Sequence, residues 1–270
     1  MRVLSVNDLS CIGKCSLSVT LPIVSACGVT CAVLPTAILS THTGGFEGYT
    51  FQDLTGSLPA ILAHWEKQGE QFDILYSGYL GSEEQIDIVL DIKKRFLKPN
   101  GILVVDPVMG DSGKLYAGFH ADFPTAMKRL CAEANFILPN HTEACLLTDM
   151  PYPFDGTALL ERLHAFSACP IVTGVEEDGK TTVYFYDEQG TCQAYSTPTT
   201  KGFFCGSGDV FASVFVGAIA SGKTYVDAVK IATEFTSACI ARSAKEVPDH
   251  RYGLNFEKEL PKLLRMLGKI

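Results

Sequence analysis

The stretch Cys205-Gly206-Ser207-Gly208-Asp209 combines residue types suited to phosphoryl transfer. Its glycines let an anion approach the backbone closely. Val210, Phe211, Val214, Phe215, Ala218 and Ile219 follow at helical spacing, which predicts a helix of about three turns that Gly222 is placed to end. The first N–H groups of such a helix have no intrahelical partner, and the helix dipole favours negative charge beside them. A carboxylate there makes chemical sense if Asp209 takes the proton of a hydroxyl that attacks a phosphate. The structural alternative is a plain acid in a first helical turn. These five residues alone do not separate the two.

Other polar clusters recur just after predicted strands. They are Asn7-Asp8, Ser40–Gly44, Gly78-Tyr79, Asp106–Asp111, Asn140–Glu143 and Thr173-Gly174. Asp106 and Asp111 suit a magnesium–phosphate region, since Mg²⁺ takes one or two carboxylates plus water and phosphate oxygens; they equally suit turns around Pro107 and Gly110. Asn140 and Glu143 are placed to cap a helix, and Glu143 equally to hold a metal-bound water. His42 is a candidate base or hydrogen-bond partner, and Thr43 and Tyr79 are candidate substrate contacts. Cys205, beside the anion hole, is expected to pack rather than react.

Gly217–Thr224 matches the P-loop pattern G-x-x-x-x-G-K-[ST]. Too little chain follows Thr224 to build the rest of a P-loop sheet, and the acidic strand at Asp106 would come before the loop instead of after it. Gly222 is therefore expected to close a helix, with Lys223 near its last carbonyls.

These residues need a scaffold. The chain has 270 residues, 47% hydrophobic and 19% charged, which suits one domain over 1–270 with a substantial core. Its net charge of −8 argues against nucleic acid or a membrane surface as partner. No apolar run reaches the roughly 18 residues of a membrane span, and Met1–Val6 is too short for a signal peptide, so a cytoplasmic location is expected. Ten cysteines show no metal spacing and are expected to be reduced. Strands are expected at Val3–Val6, Cys31–Leu34, Ile74–Tyr76, Ile102–Val105, Phe136–Leu138 and Ile171-Val172. Thr181–Tyr186 and Thr191–Ser196 form a hairpin pattern. Helices are expected from Lys14–Ser18 to Cys27, at Phe51–Gln68, Glu83–Leu97, Ala121–Ala132, Thr157–Phe166, Tyr225–Arg242 and Phe256–Leu267. The loop Leu39–Gly45 is expected to be exposed. Alternating strands and helices predict an α/β fold with a mostly parallel central sheet covered on both faces. Ligands bind beyond the carboxyl ends of such strands, where the polar clusters fall.

Taken together, the motifs resemble the pyridoxal kinases of the ribokinase-like superfamily. The anchors are Arg2–Val6, Leu39–Thr43, Ser77–Ser82, Asp106–Asp111, Leu138–Ala144 and Gly206–Asp209. The resemblance implies a three-layer fold and transfer of phosphate from ATP to the 5′-hydroxyl of a vitamin B6 vitamer. It implies Asp209 as base and Gly206, Ser207 and Gly208 as anion hole. Asn140 and Thr173 fall at the nucleotide, and Asp106, Asp111 and Glu143 at the Mg²⁺ ion. A monovalent cation is a further ion that it leaves open. Thr43 and Tyr79 match ring-facing positions, and a homodimer is implied. Asp8 stands where these kinases usually have a ring-contacting Ser. That Asp is closer to hydroxymethylpyrimidine kinase of thiamine synthesis, the alternative substrate reading. A non-catalytic B6-binding protein is the alternative from another class.

Overall fold

The computed structural model describes residues 1–167, 169–246 and 249–270. In chain order the strands are β1 (Arg2–Ile12), β2 (Thr30–Thr41), β3 (Phe51–Asp53), β4 (Phe72–Ser77), β5 (Leu97–Val105), β6 (Gly110–Asp111), β7 (Lys114–Leu115), β8 (Phe136–Ile137), β9 (Cys169–Glu177), β10 (Lys180–Tyr186) and β11 (Cys192–Pro198). The helices are α1 (Leu17–Ala26), α2 (Leu58–Gln68), α3 (Glu83–Phe96), α4 (Phe123–Ala132), α5 (His141–Thr148), α6 (Gly156–His164), α7 (Ser207–Ala220), α8 (Tyr225–Glu246) and α9 (Leu260–Met266).

One sheet runs in the order β11-β10-β9-β8-β5-β4-β1-β2-β3. The six strands from β9 to β2 pair in parallel, while β3, β10 and β11 join antiparallel. Side chains alternate between two cores, as the period of a strand requires. Val3, Ile74, Val104 and Ile171 pack on the side of α1, α7, α8 and α9. Leu4, Leu75, Leu103 and Val172 pack on the side of α2 to α6. This is the expected three-layer α/β arrangement, with the parallel strands buried on both faces.

Beyond β9 running through Thr173-Gly174 to Glu177 and β5 starting at Leu97, three expectations change. First, β1 continues past Asn7-Asp8 to Ile12, because both polar side chains find partners inside the fold. Its register with β2 slips between Asn7 and Leu9, opposite the Pro35–Ala37 stretch. Pro35 has no N–H to give to a ladder, and a bulge there re-aims the side chain opposite it. Second, Leu39–Thr41 belongs to β2 and His42 is buried, so this stretch is not an exposed loop. Third, Phe51–Asp53 pairs with Ala37–Leu39, and the helix begins only at Leu58, with Pro59 in its first turn. The expected hairpin, and a helix rather than a strand over Val210–Val216, are both present.

Candidate active site

Helix α7 begins at Ser207, with Gly206 before it at φ 76°, ψ 8°. No side chain caps this end, so the backbone N–H groups of its first turn stay available to an anion. Gly206 is required by geometry as well as by its left-handed φ. A Cβ there would lie 2.1 Å from the carbonyl oxygen of Lys14. The turn Gly13–Ser16 therefore packs directly against the start of α7.

Asp209 lies in the first turn of α7 and keeps partial access to solvent. Burial pushes its pKa up to about 7; the Ser16 N–H and the Asn7 amide oppose that rise, and the Asp8 charge adds to it. Asn7 is fully buried, and its Oδ1 accepts the backbone N–H of Tyr79 at 2.8 Å and of Asp8 at 3.0 Å. A side chain at Gly78 would strike the Asn7 amide nitrogen at 2.2 Å, so glycine there leaves the room Asn7 needs. Asp8 is buried, with its carboxylate accepting the Ser16 hydroxyl and, at 3.3 Å, the Ser10 hydroxyl. Burial raises its pKa.

Four carboxylates, Asp106, Asp111, Glu143 and Asp209, gather after β5, in β6 and in the first turns of α5 and α7. Asp106 is buried, and its pKa is driven well up by burial, then by the charges of Glu143 and Asp209. Glu143 is 2% exposed and completes a capping box with Asn140. Its Oε1 accepts the Met109 N–H at 3.1 Å and its Oε2 the Asn140 N–H at 2.9 Å. Burial lifts its pKa to about 8 against those N–H groups. Among the described residues, no lysine or arginine forms an ion pair with Asp106, Asp111, Glu143 or Asp209. No three His, Cys, Asp or Glu side chains among the described residues form a ready metal cage. Uncompensated acids without a closed cage suit an ion that keeps its waters and shares phosphate oxygens, as Mg²⁺ does.

Asn140 and Thr173 come together across β8 and β9. They form an isolated bridge, and the Thr173 N–H donates to the Pro139 carbonyl at 2.9 Å. Tyr79 follows β4; burial raises its pKa to about 12, with the Asp8 charge next. Its ring lies 5.6 Å from Phe119, which stacks on Phe123 at 4.2 Å. Thr43 is exposed on the loop beside Cys205. The Cys205 thiol donates to the Gly44 carbonyl at 3.5 Å and burial raises its pKa to about 11, so it packs rather than reacts. His42 is no base. Its Nδ1 accepts the Gly44 N–H at 3.1 Å, which leaves Nε2 to donate to the Arg251 carbonyl at 2.6 Å.

Two residues of this site had no signal in the sequence. Ser16 donates its hydroxyl to Asp8 and lowers the pKa of Asp209, and only its backbone conformation reveals it. Tyr116 follows the short β6–β7 hairpin, and its pKa is pushed up by burial around the hydroxyl and by the charges of Glu143, Asp111, Asp106 and Asp209. An aromatic after Lys114-Leu115 is otherwise an ordinary loop residue.

The chain is similar to known proteins in sequence and fold. A protein from Bacteroides thetaiotaomicron, assigned as a phosphomethylpyrimidine kinase and crystallised with pyridoxal, superposes with a TM-score of 0.91 at 38% identity, covering 97% of this chain and 95% of that one. Pyridoxal kinase from Lactobacillus plantarum gives 0.91 at 34% identity, covering 98% and 97%. The thiamine biosynthetic bifunctional enzyme of Arabidopsis thaliana is 26% identical over 94% of this chain and 50% of its own length. The chain spans about half the length of the first curated relatives it matches. The phosphomethylpyrimidine kinase family model matches residues 21–252. The chain therefore belongs to the phosphomethylpyrimidine kinase family, with a ribokinase-like fold shared with pyridoxal kinases.

Proposed function

We propose that this chain transfers the terminal phosphoryl group of ATP to the 5′-hydroxyl of a vitamin B6 vitamer. The observation that carries this is Asp209. It is a half-buried carboxylate with a pKa near 7, set in a helix start that has no capping side chain. A pKa near working pH suits a general base, and open N–H groups beside it suit the phosphoryl oxygens. The Bacteroides relative crystallised with pyridoxal supports the choice of ring.

In this mechanism the vitamer lies between Asp8, Thr43 and Tyr79, with its hydroxyl toward Asp209. Asp209 accepts the hydroxyl proton as the oxygen attacks. The N–H groups at Gly206–Gly208 hold the oxygens of the group in transit. Asn140 and Thr173 flank the nucleotide. A Mg²⁺ ion there would neutralise charge on the phosphates. Asp106 and Asp111 would hold it, and Glu143, committed to the Met109 and Asn140 N–H groups, fixes the backbone around it. The catalytic unit spans residues 1–270. A homodimer is proposed through the sheet edge at β3 and the neighbouring ends of β1 and β2, where Ile12, Ile38 and Phe51 are exposed.

Asp8 favours a second substrate. A buried carboxylate suits an amino-bearing ring, which supports hydroxymethylpyrimidine as the alternative acceptor. A non-catalytic B6 binder has no use for Asp209. An ADP-release assay over pyridoxal, pyridoxamine, pyridoxine and hydroxymethylpyrimidine tests the proposal. Turnover of a vitamer is expected. Turnover of hydroxymethylpyrimidine alone would replace the substrate, and tight binding with no turnover of any would replace the enzyme with a binder.

A further inference from the structure

Ser16 precedes α1 in the position of a helix cap, yet its side chain caps nothing. Its φ of 51° and ψ of −132° lie in a region that L-residues other than glycine avoid. Each polar atom of this residue is nonetheless used. The hydroxyl donates to Asp8 Oδ1. The backbone N–H holds the pKa of Asp209 down. The carbonyl accepts the Thr20 N–H at 2.9 Å and the Thr20 hydroxyl at 3.0 Å. Thr20 Oγ1 in turn accepts the Ser213 hydroxyl from α7 at 3.1 Å. One strained residue thus ties Asp8 to the helix that carries Asp209.

A serine in ordinary helix-cap geometry would turn its hydroxyl to the N–H groups of α1. The conformation here gives up that bond and bears backbone strain. What it gains is a link between two carboxylates on different elements. The close packing of Lys14 on Gly206 keeps the link short, since it fixes the turn Gly13–Ser16 against the start of α7.

We infer that Ser16 is a positioning residue that couples the group bound at Asp8 to the alignment of Asp209, so that acceptor choice and the rate of phosphoryl transfer are set together. The inference rests on the function proposed above. An acceptor group that engages Asp8 pulls on the Ser16 hydroxyl. The Ser16 backbone then carries the change to Asp209 and, through Thr20 and Ser213, to α7. A ring that does not engage Asp8 leaves the base in its unliganded alignment.

The test is a double-mutant cycle with Ser16→Ala, Asp8→Ser and the pair. The readouts are kcat and KM for ATP and for each of the four acceptors, with a melting curve for every variant. Ser16→Ala is expected to lower kcat for the best acceptor about tenfold with KM for ATP within twofold, and to shift the ratio of kcat/KM between acceptors in the same direction as Asp8→Ser. The pair is expected to be no worse than the more affected single variant, because both changes cut one link. Effects that multiply in the pair would overturn the coupling. So would a Ser16→Ala variant with a lowered Tm and normal kcat, which would leave Ser16 a structural residue. Ser16→Gly relieves the backbone strain, so it keeps the cycle measurable if Ser16→Ala is too unstable to assay; it is expected to show the same acceptor shift at higher Tm. A wild-type protein that turns over no acceptor refutes the proposed function instead. The cycle is then read from the dissociation constant of pyridoxal followed by its ring absorbance. There, Ser16→Ala and Asp8→Ser are expected to weaken binding non-additively, and additive losses would refute the coupling.

Discussion

Gly206 sits against Lys14 so closely that a Cβ on the glycine would stand 2.1 Å from the lysine carbonyl oxygen. The left-handed φ of Gly206 adds about 1–2 kcal/mol of strain for any L-residue placed there. Gly206→Ala is therefore expected to push the turn away from α7, spoil the open N–H groups and lower kcat about a hundredfold or more. Circular dichroism and kcat for the same preparation check this. A folded variant with near-normal kcat would show that the contact does not shape the site.

Asp209→Asn keeps size and polarity but removes the proton acceptor. It is expected to lower kcat by about a hundredfold to ten-thousandfold while ATP and vitamer still bind. Stability should move the other way. Burial raises the Asp209 pKa from an ordinary value of 3.8 to about 7 in the folded protein. The stabilisation from holding that proton is full below 3.8 and is lost as pH rises through about 7. Asparagine never ionises, so the variant should melt several degrees above wild type at pH 8, with the difference shrinking toward pH 4. A lower Tm at pH 8 would count against a desolvated Asp209.

The wild-type rate should follow the same group. In the free enzyme Asp209 must be ionised to act, so kcat/KM is expected to fall on the acid side of about pH 7. A profile flat from pH 5.5 to pH 8 would leave the base unassigned.

Lys223→Ala is expected to leave turnover nearly intact. The Lys223 N–H donates to the Ala218 carbonyl at 3.1 Å and the Gly222 N–H to Ile219 at 2.9 Å, with Gly222 at φ +88°. That pattern closes α7, far along the helix from its phosphate-facing end. A hundredfold loss of kcat would bring back a phosphate role for Gly217–Thr224.

The sheet was legible because Ile102–Val105 and its neighbours carry apolar residues on both faces, which only a doubly covered parallel sheet satisfies. The helix at Val210 was legible from spacing, and the start of α7 from its glycines. Asn7 and Asp8 misled because a polar pair inside a strand looks like its end. Only the partners Tyr79, Ser10 and Ser16, brought by distant elements, let β1 run on. His42 had the composition of a catalytic residue, and the Arg251 carbonyl, 209 positions away, decides its role. Ser16 was silent for a different reason. Its positive φ is imposed by packing between Asp8 and α7, and no local propensity announces it.

The bond from Gly44 to His42, and from His42 to Arg251, joins a loop beside the anion hole to the turn at His250–Tyr252. The Arg251 guanidinium adds a bond to the Gly45 carbonyl at 3.2 Å and lies 5.1 Å from the Phe46 ring. The Gly44 amide can exchange its hydrogen with solvent only when this tether releases. A single backbone amide therefore reports whether the C-terminal turn is docked. Undocking of that turn would show first as faster deuteration at Gly44, because the His42 ring that accepts its N–H is held by the Arg251 carbonyl.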